Sequence, residues 1–321
     1  MILTVTLNPL LERRYYYPKI ELSQVNRQGK LIIKAGGKGI NVSRQLNRLG
    51  IKNTAMLFIG GNNGKLFRES LRTEKINYSE VVTKAGTRDA AIIIDELKGK
   101  VYSFFGQDGL ISSQETSEFI DKMKKAIAAC EMVVFSGSSP CDETDKIIVE
   151  GIKIANDLDK ISVCDTYGKH LSVIYDASPT IVHNNVDELR TSLQNKFNNE
   201  SDYLDFLKIL YKKGIKQTFI TDSYKAFYVS NFDFHYKVNP PEIKAVDSTG
   251  SGDAFVSGIA YSWHNKLTFE QQLKFATALG ALNARSIEVC EIELLNAQML
   301  AEEIRIEPIG KSIIHLNDLS Q

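Results

Sequence analysis

The chain has 321 residues, enough for about two domains on length alone or for one large α/β unit with an appendage. Lys+Arg and Asp+Glu both number 39, so no global field holds nucleic acid or an anionic membrane, and any anionic ligand must be held locally. Cys130, Cys141, Cys164 and Cys290 form no C-x-x-C pair, which argues against zinc and a disulfide scaffold and for reduced thiols in a cytoplasmic protein. The start of the chain carries no basic leader or cleavage site, and no later run approaches ~18 apolar residues, so neither a signal peptide nor a membrane span is expected.

In chain order, residues 2–7 read as a buried first strand that Asn8-Pro9 ends, since proline restricts its predecessor and lacks a donor. Polar groups just beyond it sit at a strand's carboxyl end, where ligands bind in open α/β sheets. Further strands are expected at 54–59, 132–135, 161–165, 180–183 and 217–221, with helices such as 39–49, 113–129, 144–157 and 203–213 between them. That alternation predicts an α/β fold with a mostly parallel sheet and helices on both faces.

Two segments break the alternation, 14–34 and 88–105. In the second, 90–94 and 101–105 flank Glu96-Leu97-Lys98-Gly99-Lys100 as a hairpin. Together they are expected to form a small sheet laid over the site as a lid of about 12–35 and 88–106, inserted in one domain spanning 1–321. A lid would exclude water from the cleft beneath it. Its apolar candidates, Tyr15, Tyr16, Tyr17, Ile32 and Ile33, suit either that packing or pairing with a second copy. The last segment, 304–321, reads as a short edge strand broken by Pro308 and a frayed end.

The stretch Asp247-Ser248-Thr249-Gly250-Ser251-Gly252-Asp253-Ala254-Phe255 is the most informative. Gly250 and Gly252 let the backbone turn tightly and bring N–H groups against an oxyanion. Phe255, Val256, Ile259, Ala260 and Trp263 then recur at helical spacing, which puts the cradle at a helix N-terminus and Asp253 in its first turn. There a carboxylate can take a proton from a hydroxyl while amides hold charge on a transferred phosphoryl group. A loop with a cap would explain this stretch alone. The dinucleotide pattern fails for want of its third glycine, and Gly60-Gly61-Asn62-Asn63-Gly64-Lys65-Leu66 is one residue short of a P-loop.

A second constellation, Ala35-Gly36-Gly37-Lys38-Gly39-Ile40-Asn41-Val42, places glycines, an ammonium and an amide at a helix entry, suited to a phosphate or to sugar hydroxyls. Arg88 is a second candidate cation for a substrate phosphate. Third, Asn185 and Glu188 sit three apart at another helix start. Glu188 could organise the water shell of an ATP-borne Mg²⁺, or the pair could be a capping box, or both. The five histidines, His170, His183, His235, His264 and His315, show no metal-ligand spacing and read as structural or exposed.

These segments resemble the phosphofructokinase B or ribokinase family over most of the chain, with three signatures in order. Thr4-Val5-Thr6-Leu7-Asn8-Pro9, Gly36-Gly37-Lys38, Thr87-Arg88 and Ser136-Gly137-Ser138 are similar to the branch acting on ketohexose monophosphates, 1-phosphofructokinase and tagatose-6-phosphate kinase. The resemblance implies a ribokinase-like fold and an ATP- and Mg²⁺-dependent kinase for the free primary hydroxyl of such a sugar. By it, Asp253 is the base and Gly250, Ser251 and Gly252 form the anion hole. Lys38 and Arg88 hold the substrate phosphate, with Glu12, Gly37, Gly39, Asn41 and Ser138 nearby. Asn185, Glu188, Thr221, Ser223 and Asn283 lie along the nucleotide. A monovalent cation and a homodimer through the lid stay open. Glu12 stands where the branch usually has aspartate, His183-Asn184 replace Lys-Pro, Ser223 and Ala226 replace glycines, and Phe105-Gly106-Gln107-Asp108 only weakly matches Asn-x-x-Gly-Pro. Alternatives are a non-catalytic sugar-phosphate or nucleotide-binding protein, and a kinase for another sugar or a nucleoside.

Overall fold

Every residue of β1 (Ile2–Thr6) is buried; Ile2 packs into one helical layer, Leu3 and Val5 into the other, as an interior strand requires. The computed structural model describes residues 1–311. After β1 come β2 (Leu10–Tyr17), β3 (Lys30–Gly36), α1 (Lys38–Arg48), β4 (Asn53–Gly60), α2 (Gly61–Thr73), β5 (Tyr78–Thr83), β6 (Arg88–Asp95), β7 (Lys100–Phe105), α3 (Ser113–Ala128), β8 (Met132–Ser136) and α4 (Asp142–Asp157). The chain continues through β9 (Ile161–Asp165), α5 (Leu171–Asp176), β10 (Ile181–Asn185), α6 (Val186–Leu193), α7 (Glu200–Lys212), β11 (Gln217–Thr221), β12 (Phe227–Asn231) and β13 (Phe234–Asn239). It closes with α8 (Ser251–His264), α9 (Phe269–Ala284), α10 (Leu294–Ala301) and β14 (Arg305–Lys311).

Ten strands form one sheet in the order β14-β13-β12-β11-β10-β9-β8-β1-β4-β5. From β5 to β11 all neighbours are parallel; β12, β13 and β14 add an antiparallel edge. From β1 the chain first moves outward to β4 and β5, then returns to β8 on β1's other side. The order therefore reverses between β1 and β8, the crevice where such sheets bind ligands. One apolar core lies under α3, α4, α5, α6 and α7, and another under α1, α8, α9 and α10. Among the described residues no helix is long and apolar enough to cross a membrane.

The second sheet has the order β3-β2-β6-β7, antiparallel except for its central β2–β6 pair. Its register sets Leu10 beside Arg88, and Glu12 beside Ala90, which in turn faces Phe105, so these side chains share one face. The five expected apolar residues do not share a face. Strand alternation puts Tyr16 and Ile32 on one side and Tyr15, Tyr17 and Ile33 on the other, where Ile33 packs against the α2 core. Further along that outer side, Leu31 and Phe104 are exposed, as are Ile32 and Phe105 on the other.

Other boundaries differ in instructive ways. The strand expected at 180–183 runs to Asn185, where a helix cap takes over. Pro308 does not break β14, which stays paired with β13 across a register shift, as an edge strand tolerates. The expected frayed end, residues 312–321, lies outside the described residues.

Candidate active site

A cleft of about 1200 Å³ opens at the carboxyl ends of the parallel strands, beneath the small sheet. Gly250 begins α8 with φ of +78°, where a Cβ would collide with the Val289 side chain, so only glycine fits. The Ser251 amide is spent on the Ser248 carbonyl, 3.1 Å away. Among the described residues the Gly250, Gly252 and Asp253 amides meet no acceptor, so of the Gly250-Ser251-Gly252 stretch only Ser251 is spent, and the Gly252 and Asp253 N–H groups form the helix's positive end at the cleft.

Asp253 is 3% exposed and accepts a 2.7 Å hydrogen bond from Asn41 Nδ2. Arg44 fixes the amide's orientation by donating to Asn41 Oδ1 at 2.7 Å. Burial, with Asp165 and Glu188 nearby, pushes the Asp253 carboxyl up to about 7 against the pull of Lys38 and Asn41. Such a group is a competent proton acceptor near neutral pH.

Lys38 does not stand free. Its Nζ lies 2.7 Å from Glu188 Oε1 and 3.3 Å from Asp165 Oδ1, over the Tyr167 ring. Burial opposes its charge, but Asp165, Glu188 and Asp253 outweigh it and hold the ammonium above its ordinary value. Asp165, fully buried at the end of β9, also accepts from Ser136 Oγ at 2.8 Å and pairs with His183 Nδ1 at 2.9 Å. Burial would raise its carboxyl, yet Lys38, His183 and Ser136 leave it below the usual range. His183 reaches on to Thr221 Oγ1 at 3.2 Å and stacks on Phe255. It therefore lines the cleft, at the junction of its two halves.

Asn185 and Glu188 do form the capping box: Asn185 Oδ1 accepts from the Glu188 amide, and Glu188 Oε2 from the Asn185 amide. The other Glu188 oxygen meets Lys38, so one carboxylate both caps α6 and faces the cleft. This donor set suits Mg²⁺ held through water, because Mg²⁺ takes few protein carboxylates and keeps several waters. Outside the cleft lining, Asp142, Asp145 and His170 are grouped as ligands of one ion could be, a spacing not apparent in sequence. His170 there pairs with Asp145, and Lys169 with Asp142.

Glu12, Gly37, Arg88 and Ser138 line one end of the cleft, and Thr221 and Ser223 the other. Ser223 has φ of +53°, the left-handed backbone a glycine would adopt without cost. Gly39 and Asn283 do not line the cleft. Gly39 packs against Thr6 and the Val5 carbonyl, and Asn283 is fully buried, donating to the Thr249 carbonyl at 2.8 Å and bracing the turn from behind. Asp165 and Arg14 were not singled out in sequence, and Asn8 only as the end of the first strand and part of the resemblance. Asp165 and Asn8 carry the available signal, a polar residue ending a buried parallel strand. Arg14 gave none: it donates to Glu12 Oε2 at 3.1 Å and to the Ile287 carbonyl at 2.8 Å, tying the small sheet to the loop whose Val289 flanks Gly250. Tyr16 and Lys34 reinforce that tie through Glu288.

Known proteins resemble this chain over most of its length. Residues 10–293 match the model of the pfkB family carbohydrate kinases. A tagatose-6-phosphate kinase of Staphylococcus epidermidis is 32% identical over 295 residues, covering 88% of this chain and 92% of that protein. A structure described as a possible 1-phosphofructokinase from Thermotoga maritima superposes with a TM-score of 0.88 at 25% identity, covering 97% of this chain and all of that one. Phosphofructokinase-2 from Escherichia coli, solved in complex with potassium, shares the fold at a TM-score of 0.85 and 21% identity, over 94% of this chain and 98% of that one. The chain belongs to the pfkB family of carbohydrate kinases, with a ribokinase-like fold, and is a sugar kinase.

Proposed function

We propose that this kinase transfers the γ-phosphoryl group of ATP to the free primary hydroxyl of a ketohexose monophosphate, fructose 1-phosphate or tagatose 6-phosphate, giving the bisphosphate. The observation that carries this reading is the pairing of Asp253, near neutral in pKa, with two unspent helix amides on one side and Arg88 on the other. Asp253 takes the hydroxyl proton as the oxygen attacks phosphorus and the bond to the bridging oxygen breaks. The Gly252 and Asp253 amides hold the charge on the phosphoryl oxygens. Mg²⁺ bound with ATP would neutralise phosphate charge, and Glu188 would hold its water. Thr221 and Ser223 flank the nucleotide, and Pro240, Ile243 and Ala281 offer an apolar slot for its base. The S. epidermidis and T. maritima relatives support the substrate class.

On this reading the small sheet is a lid on a single cytoplasmic domain, and copies pair through its exposed face. A tetrameric inhibited form is described for the E. coli relative. One observation favours a second acceptor class, an unphosphorylated sugar: Lys38 and Arg88 are both already paired with carboxylates. An ADP-release assay across fructose 1-phosphate, fructose 6-phosphate, tagatose 6-phosphate and unphosphorylated sugars, with K⁺ or Na⁺, separates the two. Turnover only of unphosphorylated sugars would overturn the first.

A further inference from the structure

Two residues that line the cleft, Arg88 and Asn8, already hold an anion, and it belongs to the protein. Asp108, in the stretch joining β7 to α3, places Oδ1 2.7 Å from Arg88 Nη1 and 3.0 Å from Asn8 Nδ2. The same Asn8 nitrogen reaches Ser138 Oγ at 3.4 Å, and Arg88 Nη2 donates to the Asn8 carbonyl at 3.1 Å. One carboxylate oxygen thus sits on a guanidinium and an amide, with a hydroxyl next to them, a donor set that suits a phosphate equally well. The two partners differ in freedom. The Arg88 side chain is 15% exposed and lies against the Phe105 ring, and its Nε is buried with no partner among the described residues. The Asp108 side chain is 45% exposed on a segment without regular structure, between Gly106 and Gly109.

We propose that Asp108 is a specificity-determining residue that occupies the place of the acceptor's phosphate, so that a phosphorylated acceptor binds by displacing it. This rests on the reading of the protein as a phosphosugar kinase. Lys38 is neutralised by Asp165 and Glu188, both held by further hydrogen bonds, so Arg88 is the cation of the cleft that a single exposed side chain can release. A dianionic phosphate outcompetes a monoanionic carboxylate at that guanidinium; a neutral sugar does not.

The test uses inorganic phosphate as a probe and the full chain as it stands. Asp108→Asn removes the competing charge, and a pair this exposed is worth up to about 1 kcal/mol, so phosphate affinity should rise roughly fivefold at low ionic strength. In an Arg88→Gln background the same change should leave phosphate affinity unaltered, which separates this site from the helix amides. With a phosphorylated acceptor, Asp108→Asn should lower KM by a similar factor while kcat and the KM for ATP stay put; Asp108→Ser should behave alike. A raised acceptor KM, or unchanged phosphate affinity in Asp108→Asn, would overturn the proposal. Tighter phosphate binding without turnover of any phosphorylated acceptor would sustain the site and sink only the phosphosugar reading.

Discussion

The two ends of the cleft are built from different materials. The phosphoryl-transfer end is backbone, a glycine turn and the first amides of α8. The acceptor end is side chains, Glu12, Lys38, Arg88 and Asn8, each engaged by another charged or polar group. Unspent amides at a helix start carry a partial charge that does not titrate, whereas the value of a side-chain cation depends on what already neutralises it. On the proposed function the transfer end sets the chemistry and the acceptor end sets the substrate.

Asp253→Asn tests the first half most severely. Turnover should fall by roughly 10² to 10⁴ with ATP binding retained, since the amides remain; ADP release and equilibrium ATP binding measure the two. Asp165→Asn tests the other half, because it leaves His183 and Lys38 without their shared buried carboxylate. A loss of about 3 kcal/mol in denaturant unfolding is expected, and a loss near zero would show that the acceptor-end network is not cooperative.

The pH dependence sharpens the contrast. The Asp253 carboxyl binds its proton more tightly folded than unfolded, so its charge costs stability progressively from about pH 4, near its ordinary value, and in full above about 7. Thermal unfolding of the Asn variant relative to wild type should therefore improve between pH 5 and pH 8, while wild-type kcat/KM rises with an inflection near 7. The smallest effect is expected from Ser223→Gly, which relieves a left-handed backbone and should raise stability by about 0.5 kcal/mol, with the sugar KM unmoved.

Much of this was legible in the sequence where local rules apply. The Asp247–Asp253 turn, the capping box at Asn185 and Glu188, and Asn8 at a strand's end depend on neighbours in the chain. The β12–β13 hairpin escaped because its tight turn is Phe232-Asp233, with Phe232 at φ of +55° where glycine or asparagine is the usual signal. The helix α9 also went unread, although Thr268 and Gln271 form a capping box at its start in the structure. Asp165 showed only as the polar end of a strand, and Arg14 and Asp108 were illegible for another reason. Their partners lie at Lys38 and His183, at Ile287, and at Asn8 and Arg88, contacts that exist only once the topology has folded.

Glu188 carries one last consequence. Because the same carboxylate closes a helix and restrains a lysine, drift at Asn185 or along the first turn of α6 is felt simultaneously as fraying and as altered charge in the cleft. Inheritance of that short segment is thus doubly constrained, and descendants that change their sugar should alter the small sheet and the 106–112 stretch before they touch it.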